Sequence, residues 1–105
     1  VSMTRLIWSK MAKDGMKAII RYYRKEASAQ VARNIKLYPA GSTTIASYAQ
    51  IGAVEPLLAT KSREYRYIIS SHYKIIYYIQ NTTIVIACIF DCRQDPDKLK
   101  TYRQI

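Results

Sequence analysis

Apolar and polar positions change their rhythm midway along the chain. Between residues 10 and 27 the apolar set Ala12, Met16, Ile19, Ile20, Tyr23 and Ala27 recurs at helical spacing, the stripe of an amphipathic helix. The polar set is equally regular: Lys10, Lys13, Lys17, Arg21, Arg24 and Lys25 follow the same period, so the spacing that buries one face raises a basic ridge on the other. Ser9 is placed to cap this helix, and Thr4-Arg5-Leu6-Ile7-Trp8 ahead of it predicts a short strand. A second helix is expected after Ser28, with Val31, Ile35 and Tyr38 on its buried face. Pro39-Ala40-Gly41 should kink or break it, because an interior proline removes a backbone hydrogen bond, and Gly52 should end the region. The short link between the two helices suits an antiparallel helical hairpin.

Beyond residue 64 the helical period gives way to runs of β-branched and aromatic residues. These are Glu64-Tyr65-Arg66-Tyr67-Ile68-Ile69, Tyr73-Lys74-Ile75-Ile76-Tyr77-Tyr78-Ile79 and Thr83-Ile84-Val85-Ile86-Ala87-Cys88-Ile89-Phe90. Polar breaks at Ser70-Ser71-His72 and Gln80-Asn81-Thr82 make this an antiparallel meander. The third run is apolar on both alternating sets, so it should be the most buried strand, with helices over one face. Asp95-Pro96-Asp97 can then start a short helix carrying Lys98, Lys100 and Arg103. The expected class is α+β: an N-terminal strand, an α-helical hairpin packed on a mainly antiparallel β-sheet, and a short C-terminal helix. At 105 residues the chain has room for one domain with a real core.

Charge narrows the range of partners. Seventeen Lys and Arg against seven Asp and Glu leave +10, of which residues 1–36 carry +7. Such an excess points to a polyanionic partner: nucleic acid, ribosome, an acidic protein or an anionic surface. The longest apolar runs fall well short of the ~20 residues that span a bilayer, so no membrane role is expected. Two cysteines are too few for a secreted disulfide scaffold, and a reducing, cytoplasmic setting is expected. On one strand Cys88 and Cys92 would stand roughly 13 Å apart, beyond the ~7 Å limit for a disulfide. No phosphate-binding glycine loop, paired carboxylates or metal-ligand spacing appears, so neither cofactor nor metal is expected.

The order of elements, with the words Tyr65-Arg66-Tyr67, Tyr73-Lys74-Ile75-Ile76-Tyr77 and Phe90-Asp91-Cys92-Arg93-Gln94-Asp95-Pro96, resembles the RelE/ParE toxin superfamily of type II toxin–antitoxin (plasmid stabilisation) systems. Ile7-Trp8-Ser9 and Gln50-Ile51-Gly52 are similar to that family too, so the likeness covers nearly the whole chain. It implies a small growth-inhibiting toxin held neutral by a cognate antitoxin. One branch of the superfamily cleaves messenger RNA on the ribosome; the other poisons DNA gyrase.

Metal-free RNA cleavage needs a base for the ribose 2′-hydroxyl, cations for the phosphorane charge and an acid for the leaving oxygen. The resemblance makes Arg66, Lys74 and Arg93 the candidate cations. Two of them also have an ordinary structural role open: Arg66 with Glu64, Asp91 or a backbone carbonyl, and Arg93 with Asp91 or Asp95 or as a cap on the final helix. Where the ribonuclease branch often carries a tyrosine as general acid–base, this chain has Leu99, and Tyr102 is the nearest phenol. His72, the one histidine and a weaker candidate, falls in a turn. Turn length matters: a loop of Ser71 and His72 alone sends Arg66 and Lys74 to opposite faces, whereas a three-residue loop puts them on one face. Tyr65, Tyr67, Tyr73, Tyr77 and Tyr78 are either base-stacking platforms or cross-strand packing, and packing is expected for most.

The missing tyrosine tilts the reading toward a gyrase-inhibiting toxin. The alternatives are a ribosome-dependent endoribonuclease and a non-toxic basic interaction module on the same fold. The basic ridge of Lys10, Lys13, Lys17, Arg21 and Arg24 is the expected surface for antitoxin or target, together with the sheet edge.

Overall fold

The computed structural model of the chain describes residues 5–22, 52–70, 72–102 and 105. It is an α+β fold, as expected. Strand β1 (Arg5–Trp8) leads into helix α1 (Lys10–Tyr22), and β2 (Ala53–Val54), β3 (Arg66–Ser70), β4 (Tyr73–Gln80) and β5 (Thr83–Asp91) complete a five-stranded sheet ordered β1-β5-β4-β3-β2. The meander β3-β4-β5 is antiparallel, whereas β1 pairs in parallel with β5. Two 3₁₀ turns, Pro56–Leu58 and Pro96–Thr101, flank the sheet. The C-terminal one is started by Asp95, whose carboxylate accepts from the Asp97 amide at 3.0 Å, with Pro96 at the first position. The expected second helix lies outside the described residues, as do Tyr23, Arg24, Lys25 and Ala27.

Ser9 does more than cap. Its hydroxyl accepts from the Ala12 amide at 3.0 Å and donates to the Ala87 carbonyl at 2.7 Å. That carbonyl is available because β5 carries a bulge: Ile76 pairs with Cys88 and Tyr77 with Ile86, leaving Ala87 as the extra residue. A polar side chain thus fixes the start of α1 to the sheet at the bulge, where the ladder leaves an acceptor over.

Strand β5 is apolar on both faces because both are covered. On one face Ala12 and Ile19 of α1 pack with Tyr73, Ile75, Tyr77, Ile84, Ile86 and Ile89. At Gly15 the helix runs close to β5, where a Cβ would make ordinary contact with the Ile89 carbonyl at 3.4 Å. On the other face Ile76, Ala87, Cys88 and Phe90 pack beneath Leu58 and Leu99, one from each 3₁₀ turn. Ile20 departs from the expected stripe and is 63% exposed. At about 100° per residue it lies about 80° around the helix from Ala12, at the margin of the face that Ala12, Met16 and Ile19 define.

Gly52 is buried where backbone and ring meet. A Cβ built on it would lie 2.7 Å from Cζ of Tyr77, a fully buried side chain with nowhere to retreat. Gly52→Ala is therefore expected to lower stability by about 2 kcal/mol through overpacking, read as a lower urea midpoint at unchanged slope. An unchanged midpoint would mean that the Gly52 backbone moves freely away from the ring. No helix among the described residues is long and apolar enough to cross a membrane.

Candidate functional site

The β3–β4 hairpin decides which of the nominated cations meet. Ser70 pairs with Tyr73, so only two residues separate the paired ends of the strands. Arg66 then stands opposite Tyr77 and Lys74 opposite Ile69, which sends the two side chains to opposite faces, three ladder positions apart. Lys74 and Arg93 instead come to the same end of the sheet, near the exposed His72, whose carbonyl accepts from the Cys92 amide at 2.7 Å.

Each of the three cations is held by an oxygen of the protein. Arg66 donates from Nη1 to the Gly52 carbonyl at 2.7 Å, and its Nη2 lies 3.6 Å from the half-exposed Glu64 carboxylate. Arg93 makes a fork to Asp91, with Nε to Oδ1 at 3.0 Å and Nη2 to Oδ2 at 2.8 Å. The Arg93 amide also donates to Asp91 Oδ1, at 2.9 Å. Lys74 Nζ lies 2.8 Å from Oε2 of Glu55, whose side chain is fully buried, and 4.5 Å from the centre of the Tyr67 ring.

Glu55 is the residue that sequence reasoning missed. It follows β2, donates its amide to the Tyr65 carbonyl at 2.8 Å, and caps the first 3₁₀ turn by accepting from the Leu57 amide at 3.4 Å. The sequence did hold a signal, because Glu55 is the only charged residue between positions 37 and 60 and directly precedes a proline. A lone acid in an uncharged stretch needs a partner once buried, and Lys74 supplies it.

The proton-transfer candidates are less well placed. Tyr102 packs edge-on against Phe90, with ring centroids 6.3 Å apart. Burial, and then the neighbouring Cys88 thiol, push its phenol above its ordinary value, so at neutral pH it is a proton donor rather than a base. Leu99 is fully buried in the core under that turn. Cys92 is exposed, and partial burial pushes its thiol up while the Lys74 charge works against the shift. Among the tyrosines, Tyr65, Tyr73 and Tyr77 are core residues, whereas Tyr67 and Tyr78 are half-buried. On α1 the ridge residues Lys10, Lys13, Lys17 and Arg21 are exposed, and Lys10 approaches Asp14 at only 3.9 Å. Arg24 lies outside the described residues.

This architecture of strand, amphipathic helix and bulged meander is accompanied by a match over residues 6–96 to the ParE toxin of the type II toxin–antitoxin system parDE. The chain belongs to the ParE toxin family. The match takes in β1, α1 and the whole meander, together with the Arg66, Lys74 and Arg93 positions. No curated protein matches the chain. Membership in the ParE family makes this the toxin of a type II pair and implies a cognate antitoxin as partner.

Proposed function

We propose that the chain inhibits DNA gyrase, acting as a binding toxin until its antitoxin neutralises it. The observation that carries this reading over the ribonuclease one is the two-residue β3–β4 loop. It parts Arg66 from Lys74 across the sheet, whereas a phosphorane needs its cations converging on one oxygen cluster. Two further features support the reading. Lys74 and Arg93 are each engaged by a carboxylate, and the position where a ribonuclease of this superfamily often carries its tyrosine is the buried Leu99. The basic ridge of α1 is the proposed docking surface for an acidic antitoxin segment or for the target; like charges there at helical spacing repel, and an acidic partner relieves that repulsion.

The test adds purified chain to gyrase, relaxed plasmid and ATP. Loss of supercoiling with accumulation of cleaved plasmid, reversed by the antitoxin, is the expected result. In a parallel translation reaction messenger RNA should stay intact. Ribosome-dependent cleavage lost in Arg93→Ala would overturn the proposal and make the chain an endoribonuclease. Reversing Lys13, Lys17 and Arg21 to Glu should weaken antitoxin or target binding, and undiminished binding by both would show the ridge to be merely solvated.

A further inference from the structure

Arg66, Lys74 and Arg93 are each held by an oxygen of the protein, whereas Arg63 is held by a ring. It is exposed, and among the described residues no carboxylate pairs with it. Its guanidinium lies over the ring of Tyr78, 4.3 Å from the centroid, and Tyr78 is in turn braced edge-on by Tyr65, with centroids 5.6 Å apart. Stacking uses the π face of a guanidinium and leaves the N–H donors around its edge available, so the contact orients the cation without neutralising it.

Arg63 and Tyr78 form the wall between two adjoining clefts. One, of about 210 Å³, is lined by Ser9, Lys10, Met11, Arg63, Tyr78 and Ala87. The other, of about 280 Å³, continues past Arg63 to Glu64, Arg66, Ile79 and Gln80. Lys10 is 89% exposed and held only loosely by Asp14, and no acid stands in the first turn of α1. A compact anion in the first cleft therefore meets a flexible ammonium on one side and a pre-oriented guanidinium fork on the other. A flat aromatic group has the outer face of the stacked Arg63 as its platform.

We infer that the cleft between α1 and β4 binds the phosphate of a nucleotide, with Lys10 and Arg63 as its cationic contacts and the Arg63–Tyr78 stack as a seat for the base. The shared chemistry is a phosphate carrying a planar base, whether in a free mononucleotide or within a single strand. The adjoining second cleft gives a strand room to continue past Arg63. The inference does not depend on whether gyrase or the ribosome is the toxin's target.

The test measures binding of a fluorescein-labelled single-stranded oligonucleotide to the purified chain by anisotropy, in ribo and deoxyribo forms, with AMP as competitor. Arg63→Ala is expected to weaken binding about tenfold and to reduce the salt dependence by roughly one counterion, with a smaller loss for Arg63→Lys, which keeps the charge but not the planar fork. Lys10→Gln should weaken binding several-fold, while Lys100→Gln, on the C-terminal turn, should leave it unchanged. Displacement by AMP supports a single-nucleotide site; competition by unlabelled strand alone supports the extended groove. Equal losses in Arg63→Ala and Lys100→Gln would overturn the site in favour of uniform attraction to a +10 protein. Unaltered binding by Arg63→Ala with an unchanged circular dichroism spectrum, or no binding of any probe at low salt, would also overturn it.

Discussion

Lys74→Met is expected to lower the free energy of unfolding by about 3 kcal/mol, a large share of what holds a domain of this size together. The reason lies in Glu55 rather than in the lysine. Its side chain is fully buried, and among the described residues its carboxylate has one charged partner, Lys74 Nζ at 2.8 Å, and one weak amide donor, Leu57 at 3.4 Å. Removing the ammonium leaves a carboxylate in the interior with little compensation, whereas the pair itself contributes little beyond a well-packed apolar equivalent. The two statements separate experimentally. Glu55→Gln in the Lys74→Met background should recover most of the loss, because an amide can still cap the 3₁₀ turn without carrying charge. Urea unfolding of wild type, both single variants and the double closes the cycle. If the double variant is as unstable as Lys74→Met alone, the lysine acts through its packing over Tyr67, from which it lies 4.5 Å, and not through charge.

That experiment also bears on function. A cation that stabilises the fold by neutralising a buried acid is poorly available to a substrate phosphate, since moving it would uncover the carboxylate. Lys74→Met is thus expected to act on the amount of folded toxin, and the double variant to regain inhibition of gyrase. Loss of inhibition in a double variant of restored stability would return Lys74 to the functional surface.

Much of the fold was legible because its signals are local. The stripe of Ala12, Met16 and Ile19, the Ser9 cap, the three β-branched runs and the Asp95-Pro96 start each depend on residues a few positions apart. What escaped depends on distant pairs. Pairing of β1 in parallel with β5 is not written in either strand, and the bulge at Ala87 is not detectable in a run apolar throughout. The hairpin register was reducible to two alternatives, and the choice between them governs where Arg66 and Lys74 point. The same holds for the site. Arg66, Lys74 and Arg93 stood out as basic residues in recognisable words, but their acidic partners could not be assigned from the words alone. Asp91 lies two residues from Arg93, while Glu55 lies nineteen from Lys74. Arg63 was passed over because nothing in its neighbourhood marks it; its stack on Tyr78 exists only once β4 is in place.

The second large effect is alkaline. Burial pushes the Cys88 thiol up to about 12, from 9.0, because a thiolate there would be stranded among Leu58, Phe90 and Leu99. The sign follows from proton counting. Above about pH 9 the unfolded chain gives up this proton while the folded chain keeps it, so the unfolded state binds fewer protons and stability falls as pH rises. Three pKa steps at ~1.4 kcal/mol each make the full loss about 4 kcal/mol, complete near pH 12. Tyr102 adds to it in the same direction, being pushed up by burial and by Cys88 itself. Other tyrosines and lysines titrate in this range, so the decisive quantity is a difference between chains. Cys88→Ala should start about 1–2 kcal/mol below wild type at neutral pH, having lost buried volume, and then fall more slowly. The two stability curves should converge and cross as the pH passes about 10, with wild type the less stable beyond it. Parallel curves across the alkaline range would mean that the Cys88 thiolate is accommodated in the folded chain, and that the C-terminal 3₁₀ turn opens readily enough to let water reach it.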